Sequence, residues 1–97
     1  MLRDEVIQKL TKNLSTLREH YNVSELSIFG SVARNQATTS SDIDLLIDFS
    51  KTPGLFTYIE LKHQLEDLLG APVDLVTRKA LKPQMRETII SEAIRVN

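Results

Sequence analysis

Cysteine is absent from the sequence, which excludes disulfides, thiolate chemistry and cysteine-ligated zinc. No apolar run approaches the length needed to span a bilayer, so no membrane association is expected. The opening residues, Met1-Leu2-Arg3-Asp4-Glu5, turn polar and acidic at once, without the apolar stretch of a signal peptide. A reducing compartment makes no demand for cysteine, so a cytoplasmic location is the simplest expectation. A charge surplus is missing too: 12 Lys plus Arg face 13 Asp plus Glu. A dedicated duplex-DNA binder needs a clear cationic excess, so direct DNA binding is not expected, although local basic patches are allowed. No linker, repeat or low-complexity segment stands out. With 97 residues and 41% hydrophobic content, residues 1–97 read as a single domain with a modest core.

What is present is an alternation of helical and strand patterns. Leu2, Val6, Leu10, Leu14, Leu17 and Tyr21 recur in steps of four and three, which predicts one amphipathic helix from Leu2 to about His20, stopped near Asn22. Glu25 to Phe29 reads as a strand ending at Gly30, and Ser31 to Gln36 as one or two helical turns. The polar stretch 38–41 is a loop, and Asp42 to Phe49 is a strand rich in Ile and Leu. Leu55 to Leu69 is a second amphipathic helix capped by Gly70, Pro72 to Thr77 a third strand, and Lys82 or Pro83 to Arg95 a last helix. The order α-β-α-β-α-β-α predicts an α/β (α+β) layer packing, with a small mixed sheet. The long helix between the second and third strands suits a parallel crossover, and the short excursion between the first two an antiparallel pair. Helices should cover mainly one face, leaving the other free to hold a site.

The chemistry-bearing residues are acidic. Side chains two apart in a strand share a face, so Asp42 and Asp44 project together, with Cα atoms roughly 6 to 7 Å apart. Ile43, Leu45, Ile47 and Phe49 form the opposite, core side. Paired carboxylates repel unless a cation sits between them, and Mg²⁺ takes carboxylate and phosphate oxygens. Two such ions can hold the attacking and leaving oxygens of an in-line displacement at phosphorus. Asp74, alone in the apolar strand Ala71-Pro72-Val73-Asp74-Leu75-Val76, completes the cluster if its strand lies beside the second. It can bind metal or act as general base. Asp48 has the right parity but lies about 13 Å from Asp44 along the strand, and reads as a solvated strand end.

Gly30 ends a strand and Ser31 opens a short helix, a junction suited to phosphate: glycine allows close backbone approach, and the Ser31 hydroxyl can donate. Arg34 follows one helical turn later, within reach of the same anion. The structural alternative is an ordinary helix cap followed by a surface cation. Position relative to the carboxylates favours the phosphate reading: ten residues separate Ser31 from Asp42.

Gly30-Ser31, Asp42-Ile43-Asp44 and the later Asp74 together resemble the nucleotidyltransferase superfamily that includes polymerase β. The strings Phe29-Gly30-Ser31-Val32-Ala33-Arg34 and Ser41-Asp42-Ile43-Asp44-Leu45 resemble the minimal nucleotidyltransferases, the MNT family, over nearly the whole chain. The resemblance implies that Gly30 and Ser31 hold the β- and γ-phosphates, that Asp42 and Asp44 bind Mg²⁺, and that Asp74 is the third carboxylate. It implies a setting as well. Such proteins are often paired with HEPN-domain RNase toxins and act as antitoxins, in studied systems by adenylylating a tyrosine. The leading expectation is therefore Mg²⁺-dependent transfer of AMP from ATP to a protein hydroxyl on a HEPN-type partner. Two alternatives stay open: a non-catalytic module that neutralises its partner by occlusion, and a small-molecule nucleotidyltransferase like those that modify aminoglycosides.

Among the remaining polar residues, His20 and His63 share no ligand spacing and read as surface or boundary residues. Tyr58 fits the core row of its helix. Arg78, Lys79 and Lys82 form a small basic cluster, either a solvated loop or a contact for triphosphate or partner. Arg86 and Arg95 read as surface residues of the last helix.

Overall fold

The computed structural model describes residues 2–96; Met1 and Asn97, the two ends of the expected 1–97 domain, lie outside the described residues. The elements run α1 (Arg3–Lys12), α2 (Leu14–Tyr21), β1 (Val23–Phe29), α3 (Gly30–Ala33), β2 (Ile43–Phe49), α4 (Leu55–Leu69) and β3 (Val73–Thr77). A 3₁₀ turn (Arg78–Ala80), α5 (Pro83–Glu92) and β4 (Ile94–Arg95) follow. Together they form a mixed four-stranded sheet of order β3-β2-β1-β4 with five helices. The pair β1/β2 is antiparallel and β2/β3 parallel, as the connection lengths predict.

The first helix is interrupted once. Asn13 leaves helical geometry (φ −106°, ψ 6°). Its side-chain amide donates to the Lys9 carbonyl at 2.8 Å, the local competition with the helix ladder that asparagine favours. The apolar row survives the break, because Val6, Leu10, Leu14, Leu17 and Tyr21 are all buried. Asn22 ends α2 in the left-handed conformation, φ 57°.

Parity sorts the sheet into two faces. Leu26 and Ile28 of β1, Ile43, Leu45 and Ile47 of β2, and Val73 and Leu75 of β3 pack under α1, α2 and α4. Burying each such Leu or Ile contributes roughly 1.5–3 kcal/mol relative to exposure. The second face is not bare, as the strand and helix order alone suggests. Phe29 and Leu46 pack there against Leu81 and Ile89, so α5 and the turn before it cover part of that face. At the end carrying Asp44 and Asp74, both of these residues keep solvent access.

The last helix is shorter than its apolar row predicts. It ends at Glu92, Ala93 is extended (φ −63°, ψ 135°), and Ile94 and Arg95 pair antiparallel with Ile28 and Ser27. The Val96 N–H donates to the Leu26 carbonyl at 2.8 Å. An open edge on β1 offers unpaired backbone groups, and β-branched Ile94 and Val96 suit a strand better than a fraying helix end. Arg95 accordingly lies on a strand and not on the last helix. Among the described residues, no helix is long and apolar enough to cross a membrane.

Candidate active site

The end of the second face carrying Asp44 and Asp74 brings four chain segments together. Register does most of the positioning. The Ile43 N–H donates to the Pro72 carbonyl at 2.9 Å, and the parallel ladder then sets Asp44 directly beside Asp74. On the other side, antiparallel pairing sets Asp44 against Phe29, the residue before Gly30. Asp42 is exposed just before β2 begins.

Gly30 sits at φ +70°, a left-handed conformation that side chains resist. Its Cα also rests on the Asp44 carboxylate, and an added Cβ would overlap that group. The glycine therefore does two things: it turns the chain from β1 into α3, and it lets the turn close onto a carboxylate. Ser31, the next residue, is partly exposed beside it.

Asp44 carries the electrostatic signature of the site. Its carboxyl is raised from 3.8 to about 6, chiefly by burial, then by the neighbouring Asp74 and Asp42 carboxylates; Arg34 opposes the rise, and a hydrogen bond with Asp74 adds to it. The Tyr58 phenol is also raised, by burial first and by Asp74 second. The charges of Asp42, Asp74 and Arg34 thus all act on one carboxylate.

Among the described residues, no group of three or more His, Cys, Asp or Glu side chains converges closely enough to hold a metal ion as it stands. The donor chemistry nonetheless fits a hard divalent cation. Burial first, and the Asp74 and Asp42 carboxylates second, disfavour the charged form of Asp44, and a cation among these carboxylates would relieve their repulsion.

Arg34 is close to the turn but already engaged. Its Nη1 donates to Glu92 Oε2 at 3.0 Å and Oε1 at 3.3 Å, and its Nε donates to Gln36 Oε1 at 3.1 Å. Glu92 also accepts the Gly30 N–H at 3.0 Å through Oε1. This glutamate is the residue at the site that the sequence patterns miss. In a continuous last helix it would be one more solvated acid, and no local signal marks it.

Other polar residues resolve differently from their sequence reading. Asp48 is not a free solvated end: Arg78 Nε pairs with it at 2.8 Å, while Arg78 Nη2 pairs with Glu25 at 3.2 Å. Arg78 is therefore a strut between the turn after β3 and the far ends of β1 and β2, remote from Asp44. His20 and His63 are exposed, as are Lys79, Lys82 and Arg86. Tyr58 packs on Phe49 with ring centroids 6.2 Å apart, and its hydroxyl donates to the Leu75 carbonyl at 2.7 Å, in keeping with a core role. A cleft of about 310 Å³ lined by Phe49, Pro53, Leu55 and Tyr58 lies at the opposite end of β2 from Asp44 and does not belong to this site.

Comparison with known proteins places the chain by family and fold. The model of the nucleotidyltransferase domain matches residues 7–96. The protein adenylyltransferase MntA of Thermococcus cleftensis is 41% identical over 93 residues, covering 96% of this chain and 94% of that protein. A solved structure provisionally assigned as a minimal nucleotidyltransferase superposes with a TM-score of 0.82 at 37% identity, covering 97% of this chain and 95% of that one. The MNT antitoxin bound to a tri-AMPylated HEPN toxin of Shewanella oneidensis shares the fold, with a TM-score of 0.68 at 19% identity over 95% of this chain and 71% of that one.

Proposed function

Because this chain belongs to the nucleotidyltransferase domain family, we propose that it transfers AMP from ATP to a protein hydroxyl, a tyrosine of a HEPN-type toxin, and so acts as an antitoxin. The observation that carries the reading is the registered pair Asp44 and Asp74, with the Gly30 turn closed onto Asp44. Support for the acceptor comes from relatives: one is named a protein adenylyltransferase, and a fold neighbour is an MNT antitoxin bound to an AMPylated HEPN toxin.

In this reading Gly30, Ser31 and Arg34 bind the phosphates of ATP. Asp42, Asp44 and Asp74 would hold Mg²⁺ in a two-ion site. When bound, the metal supplies charge neutralisation for the triphosphate and for the oxygens that attack and leave. The acceptor oxygen forms a bond to the α-phosphorus, the bond from that phosphorus to the bridging oxygen of pyrophosphate breaks, and the hydroxyl proton leaves to a base. Asp74, which is solvent-exposed, takes that proton in this reading when it is not engaged as a ligand. Ser31 donates its hydroxyl to a phosphate oxygen, and Gly30 keeps the turn near enough for that bond to form.

The test is direct. The chain is mixed with α-labelled ATP, Mg²⁺ and the HEPN-type partner, and label on a partner tyrosine is the expected result. No label on the partner, with both proteins folded, sinks the proposal. The Asp42→Asn, Asp44→Asn double variant is expected to lose both labelling and neutralisation; full neutralisation by that variant favours occlusion instead.

A further inference from the structure

One acidic side chain reaches the Gly30–Ser31 turn and is given no part in the transfer chemistry. Glu92, the last residue of α5, has a side chain 24% exposed, with Oε1 accepting the Gly30 N–H at 3.0 Å and Oε2 accepting Arg34 Nη1 at 3.0 Å. Its place is set from behind by β4, whose pairing with Ser27 and Ile28 draws the end of α5 onto the strand that feeds the turn. The Gly30 N–H opens a helix, so it has no partner in the helix ladder. A carboxylate beside a phosphate site weakens anion binding by charge alone. Here Arg34 offsets that charge, and what the carboxylate contributes is a fixed anchor for the backbone.

We propose that Glu92 is a positioning residue for nucleotide binding: its hydrogen bond to the Gly30 N–H holds the turn at the one spacing from Asp44 that presents Ser31 to the phosphates. The tolerance is small, because Gly30 already rests on the Asp44 carboxylate and has no room to move inward. Glu92 itself touches no nucleotide and acts through the two residues it holds, Gly30 and Arg34. The inference rests on the ATP reading above.

The test is calorimetric titration of the full chain with AMP-PNP and Mg²⁺, which needs no acceptor, alongside thermal melting. Loss of this anchor in Glu92→Ala is expected to weaken Kd about tenfold. Glu92→Gln keeps an acceptor oxygen for the Gly30 N–H and is expected to stay within about threefold. A purely structural role would lower the melting temperature and the fraction of competent sites, leaving the Kd of the remaining sites unchanged. A folded Glu92→Ala chain with the wild-type Kd overturns the inference, as does equal weakening in the Ala and Gln variants. Should Glu92→Ala not fold, Glu92→Asp takes its place: its carboxylate is withdrawn by about 1.5 Å, so the same weakening is expected and a wild-type Kd overturns the inference. Failure of the wild-type chain to bind AMP-PNP sinks the ATP reading and this inference with it, whereas wild-type behaviour in the variants sinks the inference alone.

Discussion

Gly30 and Asp44 set each other's limits. At φ +70° an alanine pays a backbone penalty of roughly 1–2 kcal/mol, and its Cβ would in addition overlap the Asp44 carboxylate. Gly30→Ala is therefore expected to lower stability by more than about 1 kcal/mol in denaturant titrations and to abolish detectable AMP-PNP binding. A stable, binding-competent Gly30→Ala chain would mean that the turn is free to move away from Asp44. The Asp44 carboxyl makes a second prediction, because burial and its acidic neighbours raise it from 3.8 to about 6. Folding then favours the protonated form. The contribution to stability is full below about pH 3.8 and is lost as pH rises through about 6. Asp44→Asn removes this dependence, so the variant is expected to be more stable than the parent at pH 8 while losing transfer activity. Mg²⁺ is expected to shift the Asp44 titration, followed by carboxyl ¹³C NMR, to lower pH. A midpoint near 4 without Mg²⁺ would contradict the burial described for this group.

At the scale of elements, periodicity carried some features and not others. Alternation in β2 separates Ile43, Leu45 and Ile47 from Asp44, and connection lengths predict both strand pairings. Parity alone does not supply register. That Asp44 stands beside Asp74 depends on the ladder begun by Ile43 and Pro72, a contact between residues distant in sequence. The break at Asn13 leaves the apolar row intact, so no hydrophobic pattern reports it. Ile94 and Val96 satisfy the spacing of a helix and of a strand alike, and only the open edge of β1 decides between them. Glu92 was illegible for the same reason, since its neighbours across the site are Gly30 and Arg34. Arg78 shows how a basic cluster is resolved by its partners. It spans Asp48 and Glu25 with side chains about one third exposed, so solvent screens much of the attraction. Arg78→Ala is expected to cost about 1 kcal/mol in a urea titration, less in high salt, and to leave AMP-PNP affinity unchanged. Weakened nucleotide binding in that variant would assign Arg78 to the phosphates after all.

Across the whole molecule, the sheet is covered unequally. α1, α2 and α4 share one face, while α5 and the turn before it hold the other, and β4 anchors α5 at the edge of β1. Removing residues 94–97 tests whether this last segment merely seals an edge or also holds the site. The truncation deletes the pairing of Ile94 and Arg95 with β1, the Val96 bond to Leu26 and the Arg95 ion pair with Glu25. The melting temperature is expected to fall by on the order of 10 °C, since about 1 kcal/mol corresponds to several degrees for a domain of this size. The bared edge of β1 is a template for pairing with another copy, so light scattering should detect more association than in the intact chain. Helical content should persist, because the larger helical layer lies on the opposite face. The deciding measurement is the Kd for AMP-PNP with Mg²⁺, taken well below the melting temperature. Without β4 the end of α5 is no longer drawn to Gly30, so affinity should fall as it does in Glu92→Ala. An unchanged Kd with a lowered melting temperature would separate the two roles: β4 would then be an edge seal, and the hold of Glu92 on the turn would come from α5 alone.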